Sequence, residues 1–506
     1  AAAEVPPRPT YALSRFYDHH LHIGMKEAAA SAGMCSWCTR YFIFNFTKLY
    51  TLGQTLARLA ADNSNVVFDF AQWVTTLEEA EQYMANGGGY VRQLQTTSTN
   101  IHHCCTHAMS NPNNAAFAAP CTDHEHTEQD TAFIECERLF TTLELVVADI
   151  KRECPGTASA MVLYGAVLKQ LKLCHDKYIG HLMCDYLCRH DSFRITKLAT
   201  ENSTHFAWYS DYMMTLRGLS YFECKLKFHG NMTKGCSVGS SAFEHKGTET
   251  ERKTCHAVHD DLIRHTKATV STNTTQGGME TFSMLFGHLK EFAKDHPNCT
   301  HASLVTDAGS GYRTSQTVIG LMYLGAMGLL PNGIVITSWS FPEAGEGKSE
   351  KTDGSYPRFK ALRVKAVNYL GSKQRSKNIE SGSEDVYKDV DAGTADWNAA
   401  AMSAFGGLPG SDVLVLEMNP DDINHDNMAT SGTSLFGWSK IHDVRLGEVE
   451  GESGVVVRQM PNIGKGKFVS FHTMQEKNLF PVGGPLDEHL LPTPTLRVAE
   501  GAGGNP

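Results

Sequence analysis

Apolar positions recur three and four residues apart through much of the first three hundred residues, the spacing of helices that bury one face. From Ser14 to about Asp62 the pattern predicts helix in at least two pieces, broken at Gly24 and Gly33. Residues 66–84 continue it up to a turn at Asn86-Gly87-Gly88-Gly89. Thr96–Asp130 is polar and rich in Asn, Thr and His, and predicts a long loop. Thr131–Glu153 is amphipathic and ends at Pro155-Gly156. Ala158–Arg189 predicts a second long helix and Thr204–Leu219 a third. Residues 229–255, rich in Gly, Ser and Thr, predict a loop, and His256–Lys267 and Gly278–Lys294 predict helices.

After residue 300 the texture changes. Ala302–Thr306 predicts a strand, Asp307–Gly311 a turn, Ser315–Leu330 a helix and Gly333–Ser340 a second strand. Residues 343–356 and 371–387 are charged, Gly/Ser-rich loops, and Phe359–Leu370 and Trp397–Phe405 predict helices. Val413–Met418, Gly454–Gln459 and Lys467–His472 predict strands, and the tail Pro492–Pro506 is extended. The expected class is α+β: a mainly α-helical N-terminal region, residues 1–300, followed by a mixed α/β region, residues 301–506. No internal repeat is visible.

Composition sharpens this picture. A chain of 506 residues that is 41% hydrophobic and 20% charged has ample material for folded domains. Its net charge of −10 argues against a general nucleic-acid grip, which needs a dense Lys/Arg face. The longest apolar run, Val318–Leu330, is thirteen residues with three glycines, short of the ~20 needed to span a membrane. Ala1–Pro7 has neither the basic nor the apolar stretch of a signal peptide. All fourteen cysteines lie at or before Cys299, and five glycosylation sequons (Asn45, Asn202, Asn231, Asn273 and Asn298) fall in the same stretch. Two readings stay open: a disulfide-bonded glycoprotein, or a chain of reduced, buried thiols.

Several constellations approach known chemistry and stop short. Pro342-Glu343-Ala344-Gly345-Glu346-Gly347-Lys348-Ser349 ends like a phosphate-binding loop, but its first glycine is Pro342 and a turn follows Ser349. Asp307-Ala308-Gly309-Ser310-Gly311 sits between strand and helix without the third glycine of a dinucleotide fingerprint. Asp422, Asn424 and Asp426 have calcium-loop spacing, but Asn427 and Thr433 replace the required Gly and Glu. Cys174, His181, Cys184 and Cys188 share one helix face and have the chemistry of zinc ligands. One straight helix cannot surround an ion, so His102, His103, Cys104, Cys105, His107, His124 or His126 would have to complete the set; the plainer reading is a packed stripe. His256 and His259, i and i+3 beside Asp260 and Asp261, and the run His19, His20 and His22 are equally incomplete. No zinc-protease motif occurs. Whether the chain is an enzyme stays open, leaning against, with unknown catalytic residues, no cofactor and no metal.

Tyr356-Pro357-Arg358-Phe359-Lys360-Ala361 leading to Val367-Asn368-Tyr369-Leu370-Gly371, and Trp397-Asn398-Ala399-Ala400-Ala401 followed by Gly406-Gly407, resemble stretches of capsid proteins of totivirus-like double-stranded RNA viruses. The similar part covers about a fifth of the chain and places no active-site residue. The resemblance implies a helical plate with β-rich edges that self-assembles in the host cytoplasm into a closed icosahedral virion shell, its double-stranded RNA held loosely, with no membrane partner. The alternatives are a secreted or surface disulfide-bonded N-glycoprotein and a nucleotide- or metal-dependent enzyme.

Overall fold

The computed structural model describes residues 37–110, 121, 124–216, 236–254, 257–259, 262–271, 277–342, 380, 413–418, 441–476 and 497–498. The fold is α+β, with helices first and a mixed sheet after them. Two compact units divide it: residues 1–92 with 131–181, and residues 93–130 with 182–506. The expected division fell at residue 300; the observed sheet takes strands from both sides of that position. The predicted helices Phe359–Leu370 and Trp397–Phe405 lie outside the described residues, as does most of the tail.

The first unit is helical. A π-helical turn, Cys38–Ile43, leads into α1 (Phe44–Ala61), followed by α2 (Phe70–Met84), α3 (Thr131–Glu153) and the first half of α4 (Ala158–Glu201). Asp69 caps α2 by accepting from the Gln72 amide at 3.0 Å. Helix α3 buries Cys136, Leu139, Phe140, Leu143, Val146, Val147 and Ile150, the three-and-four spacing that made it legible in the sequence. Trp73 of α2 is buried and its indole N–H donates to the Leu139 carbonyl at 3.2 Å. A Cβ at Gly53 of α1 would overlap the Trp73 ring, so glycine there is a packing requirement.

The second unit is built on an eleven-stranded sheet. Its strands are β1 (His205–Leu216), β2 (Cys236–Lys246), β3 (Ala257–His259), β4 (Leu262–Ser271), β5 (His301–Thr306), β6 (Val335–Ser340), β7 (Val413–Met418), β8 (Asp443–Val449), β9 (Glu452–Arg458), β10 (Lys467–Ser470) and β11 (Arg497–Val498). The order is β10-β9-β8-β6-β5-β1-β2-β4-β7-β11, with β3 beside β4. Strand β5 is parallel to both β1 and β6, and β4 to β7; the remaining pairs are antiparallel. Helix α5 (Gly278–Asp295) connects β4 to β5, and α6 (Ser315–Ala326) connects β5 to β6.

Three sequence expectations are corrected here. Thr204–Leu219 is not a helix but β1, residues 229–255 contain β2 rather than a continuous loop, and His256–Lys267 is split between β3 and β4. The reason is burial on both faces. Phe206 and Trp208 join the core beneath α5 and α6, while Ala207 and Tyr209 pack with Ile195 and Ala199 of α4 on the other side. A strand covered twice loses its polar alternation and reads like a buried helix. Strand β2 is Gly/Ser-rich for a related reason: a Cβ at Gly239 would overlap Met284 of α5, so close helix packing selects the composition that suggested a loop.

A buried ion cluster ties α4 to the sheet. Asp191 accepts from Ser340 of β6, from Arg194 Nε at 2.8 Å and from Arg445 Nη2 at 3.3 Å. Asp443 accepts from Arg445 Nε at 3.0 Å and Arg458 Nη1 at 3.2 Å. Both carboxylates are fully buried, so each depends on its arginines to remain inside. Burial pushes the Asp443 carboxyl up, against the pull of Arg445.

His288 of α5 reaches across to the sheet, with Nε2 2.6 Å from Thr269 Oγ1 and Nδ1 2.8 Å from Ser241 Oγ. Burial, aided by Lys267, lowers it to about 3. It is therefore neutral in the folded state, and the unfolded chain binds its proton first. The associated stability is present above the ordinary value of about 6.5 and is lost as pH falls towards about 3. Between pH 7 and pH 5 wild type should lose about 2 kcal/mol more than His288→Gln, measured by urea unfolding; parallel curves for the two proteins would contradict this. In the same assay Leu304→Ala, at a fully buried site in β5, should cost about 2–5 kcal/mol. Val449→Ala, 44% exposed, should stay within about 0.5 kcal/mol.

Candidate metal centre

The described residues of the polar segment before α3 are tied together by backbone hydrogen bonds. Gln95 N–H donates to the His103 carbonyl at 3.1 Å, and Cys105 N–H returns the bond to the Gln95 carbonyl at 3.0 Å. Ile101 N–H donates to Glu128 O and Glu128 N–H to Thr99 O, each at 3.2 Å, closing the far side. His103 Nε2 lies 2.6 Å from Asp130 Oδ2, and the Asp130 amide donates to His102 Nδ1 at 3.1 Å. Those bonds pin the described parts of the segment around Cys104 and up to Asp130.

Four donors meet there. Cys104 Sγ is 3.6 Å from Cys121 Sγ and 3.4 Å from His124 Nε2. Cys121 Sγ is 3.3 Å from His124 Nε2 and 3.7 Å from His126 Nε2. The donor atoms of all four residues lie within 4.8 Å of one another. Zinc holds sulfur at about 2.3 Å and nitrogen at about 2.0 Å, which in a regular tetrahedron gives donor–donor edges of about 3.3–3.8 Å. The four measured edges fall in that interval. A disulfide would instead bring the two sulfurs to about 2.05 Å. Desolvation and the neighbouring His107 and His124 rings lower His126, which keeps its lone pair available. Beside the cluster, Cys105 is fully buried and its thiol is pushed up to about 12 by burial and then by Cys104, so it stays protonated.

The structure redistributes the zinc-type residues of α4. Cys174 takes a hydrogen bond from Gln170 at 3.8 Å, and His181 lies 3.5 Å from Cys38 Sγ and stacks on Trp37. Cys184 and Cys188 are joined instead by His442, all three buried. His442 Nδ1 is 2.7 Å from the Phe341 carbonyl and 3.3 Å from Arg313 Nη2, contacts that hold the ring in place. Hydrogen bonding from Cys184, opposed by burial and helped by His442, lowers Cys188 to about 7. This second set has three protein donors.

Other sequence candidates separate. Asp307–Gly311 is a self-satisfied turn: Asp307 Oδ1 accepts from the Ala308 amide at 2.6 Å, and Gly309 O accepts from Tyr312 and Arg313 amides at 3.1 Å. His259 lies in strand β3, so the helical i, i+3 pairing expected with His256 does not form. His19, His20, His22, His256, Asp260, Asp261, Glu343–Ser349, Asp422, Asn424 and Asp426 lie outside the described residues. Of the sequons, Asn45 is only 2% exposed within α1, which closes it to modification in the folded protein, whereas Asn202 and Asn298 are exposed.

Sequence reasoning pointed at Cys104, His124 and His126 as partners for α4 and missed Cys121 and His442. The local signal was Cys121-x2-His124-x-His126, three donor-type residues in six positions. Comparison of the chain with protein-family models, with curated proteins and with solved structures finds no match.

Proposed function

We propose that this chain is a structural protein whose 93–130 segment is closed by one zinc-class ion on Cys104, Cys121, His124 and His126. The observation that carries the reading is the set of four donor–donor edges between 3.3 and 3.7 Å. With two thiolates and two imidazoles the protein fills every tetrahedral position, and a closed site stabilises a fold without offering the ion to a substrate. Zinc analysis of purified protein should show an ion that is lost in Cys121→Ser and in His124→Ala. Removal by a chelator should expose the backbone amides of residues 94–108 to hydrogen exchange while β1 and β5 stay protected. A zinc content per chain unchanged from wild type in both variants, or a Cys104–Cys121 disulfide found by non-reducing peptide mapping, would overturn the reading.

At a larger scale we propose self-assembly into a closed shell around loosely held double-stranded RNA. The supporting observation is an apolar stripe on α4: Val162 and Leu163 are each 61% exposed, with Val167 and Leu173 on the same face at 38% and 46%. A face of this kind is costly to leave in water and suits contact with another copy of the chain. The net charge of −10 fits a container that does not grip phosphates. Among the described residues no helix is long and apolar enough to cross a membrane. Negative-stain microscopy should show closed particles for wild type and dispersed protein for a Leu163→Asp, Val167→Asp double variant. A wild-type monomer at all concentrations would contradict assembly.

A further inference from the structure

Three histidines from three elements converge on the face of the sheet that α5 covers. His265 stands opposite Phe243 in the β2–β4 ladder and His245 opposite Ile263, so the two rings are diagonal neighbours on one face. His296 is the residue that ends α5. Ring centroids are separated by 5.2 Å for His245 and His265, 4.5 Å for His245 and His296, and 4.3 Å for His265 and His296. One ring nitrogen from each lies within 4.8 Å of the others; His245 and His265 are buried, and the His296 side chain is 9% exposed. Phe292 forms a wall against the group, 4.6 Å from the His296 ring centroid.

Packing alone does not account for this arrangement. His245 is 3% exposed and its Nε2 has no hydrogen-bond partner, an uncompensated buried acceptor. Its ring hydrogen-bonds the backbone of Lys246, which sets the tautomer and leaves Nε2 as a bare lone pair. Glu251 Oε1 lies 3.8 Å from His296 Nδ1, which places a carboxylate beside the group.

We propose that His245, His265 and His296 bind a divalent transition ion of the zinc class through three imidazole nitrogens. An all-nitrogen set suits zinc, copper, nickel or cobalt and disfavours calcium and magnesium, which take oxygen. A water completes the coordination, as in three-histidine sites generally. The ion joins β2, β4 and the end of α5, and it is independent of the cysteine-containing centre.

The test uses the full chain. Relative to its parent, His265→Gln should hold one fewer zinc per chain, and so should His245→Gln, with circular dichroism reporting whether each variant is folded. Cys121→Ser, which removes the other centre, should keep this ion. Metal-stripped Cys121→Ser protein loaded with one equivalent of copper(II) should show hyperfine splitting from several imidazole nitrogens, and magnesium should not compete. Zinc content unchanged in folded His265→Gln overturns the proposal. So does stripped, folded Cys121→Ser protein that takes up neither zinc nor copper; that result leaves the cysteine centre standing, because it is then read from wild type alone.

Discussion

The second unit depends on a sheet whose central strands are buried on both faces. Covering β1 with α5 and α6 on one side and with the end of α4 on the other removes its backbone and side chains from water together. Polar groups can then persist inside only as matched sets, because an unpaired buried charge or acceptor costs more than the burial around it gains. Asp191 and Asp443 meet that condition through Arg194, Arg445 and Arg458, and this cluster draws α4 onto β6 and β8. His288 meets it through Ser241 and Thr269.

The same condition makes the Cys/His clusters informative. Thiols and imidazoles brought together in a fold are either an ordinary packing solution or a place for an ion, and geometry separates the two. Around Cys104 four donor–donor distances match the edges of a coordination tetrahedron, and the segment that carries the donors has little apolar material of its own to hold it closed. Around His245 the rings pack against Phe292, yet one nitrogen is left unsatisfied. Around Cys188 three donors gather, with His442 already oriented by the Phe341 carbonyl.

Much of the helical part was legible because α1, α2 and α3 each bury a single face. Thr131–Glu153 begins and ends where its periodicity and Pro155 place it. Strands β5, β6, β7, β9 and β10 were legible as short apolar runs between turn residues. Strands β1, β2 and β4 were not, since burial on both faces hides the alternation of β1 and close helix packing gives β2 a loop-like composition. Strand β3 and the start of β4 fell within a stretch whose spacing suggested a helix. The metal centre was half legible: Cys104, His124 and His126 were recognised as donor types, but tertiary pairing of Gln95 with Cys105 and of Ile101 with Glu128 decides which of them meet. Of the Cys184–Cys188–His442 group the two cysteines were legible as neighbours on one helix face, but His442 was not, because it lies far away along the chain.

The most direct measurement on the central claim is X-ray absorption at the zinc edge of protein purified without added metal. The account predicts bound zinc with sulfur neighbours at about 2.3 Å and imidazole nitrogens at about 2.0 Å, the sulfur shell disappearing in Cys104→Ser. Protein free of zinc, or zinc with no sulfur in its first coordination shell, would contradict it.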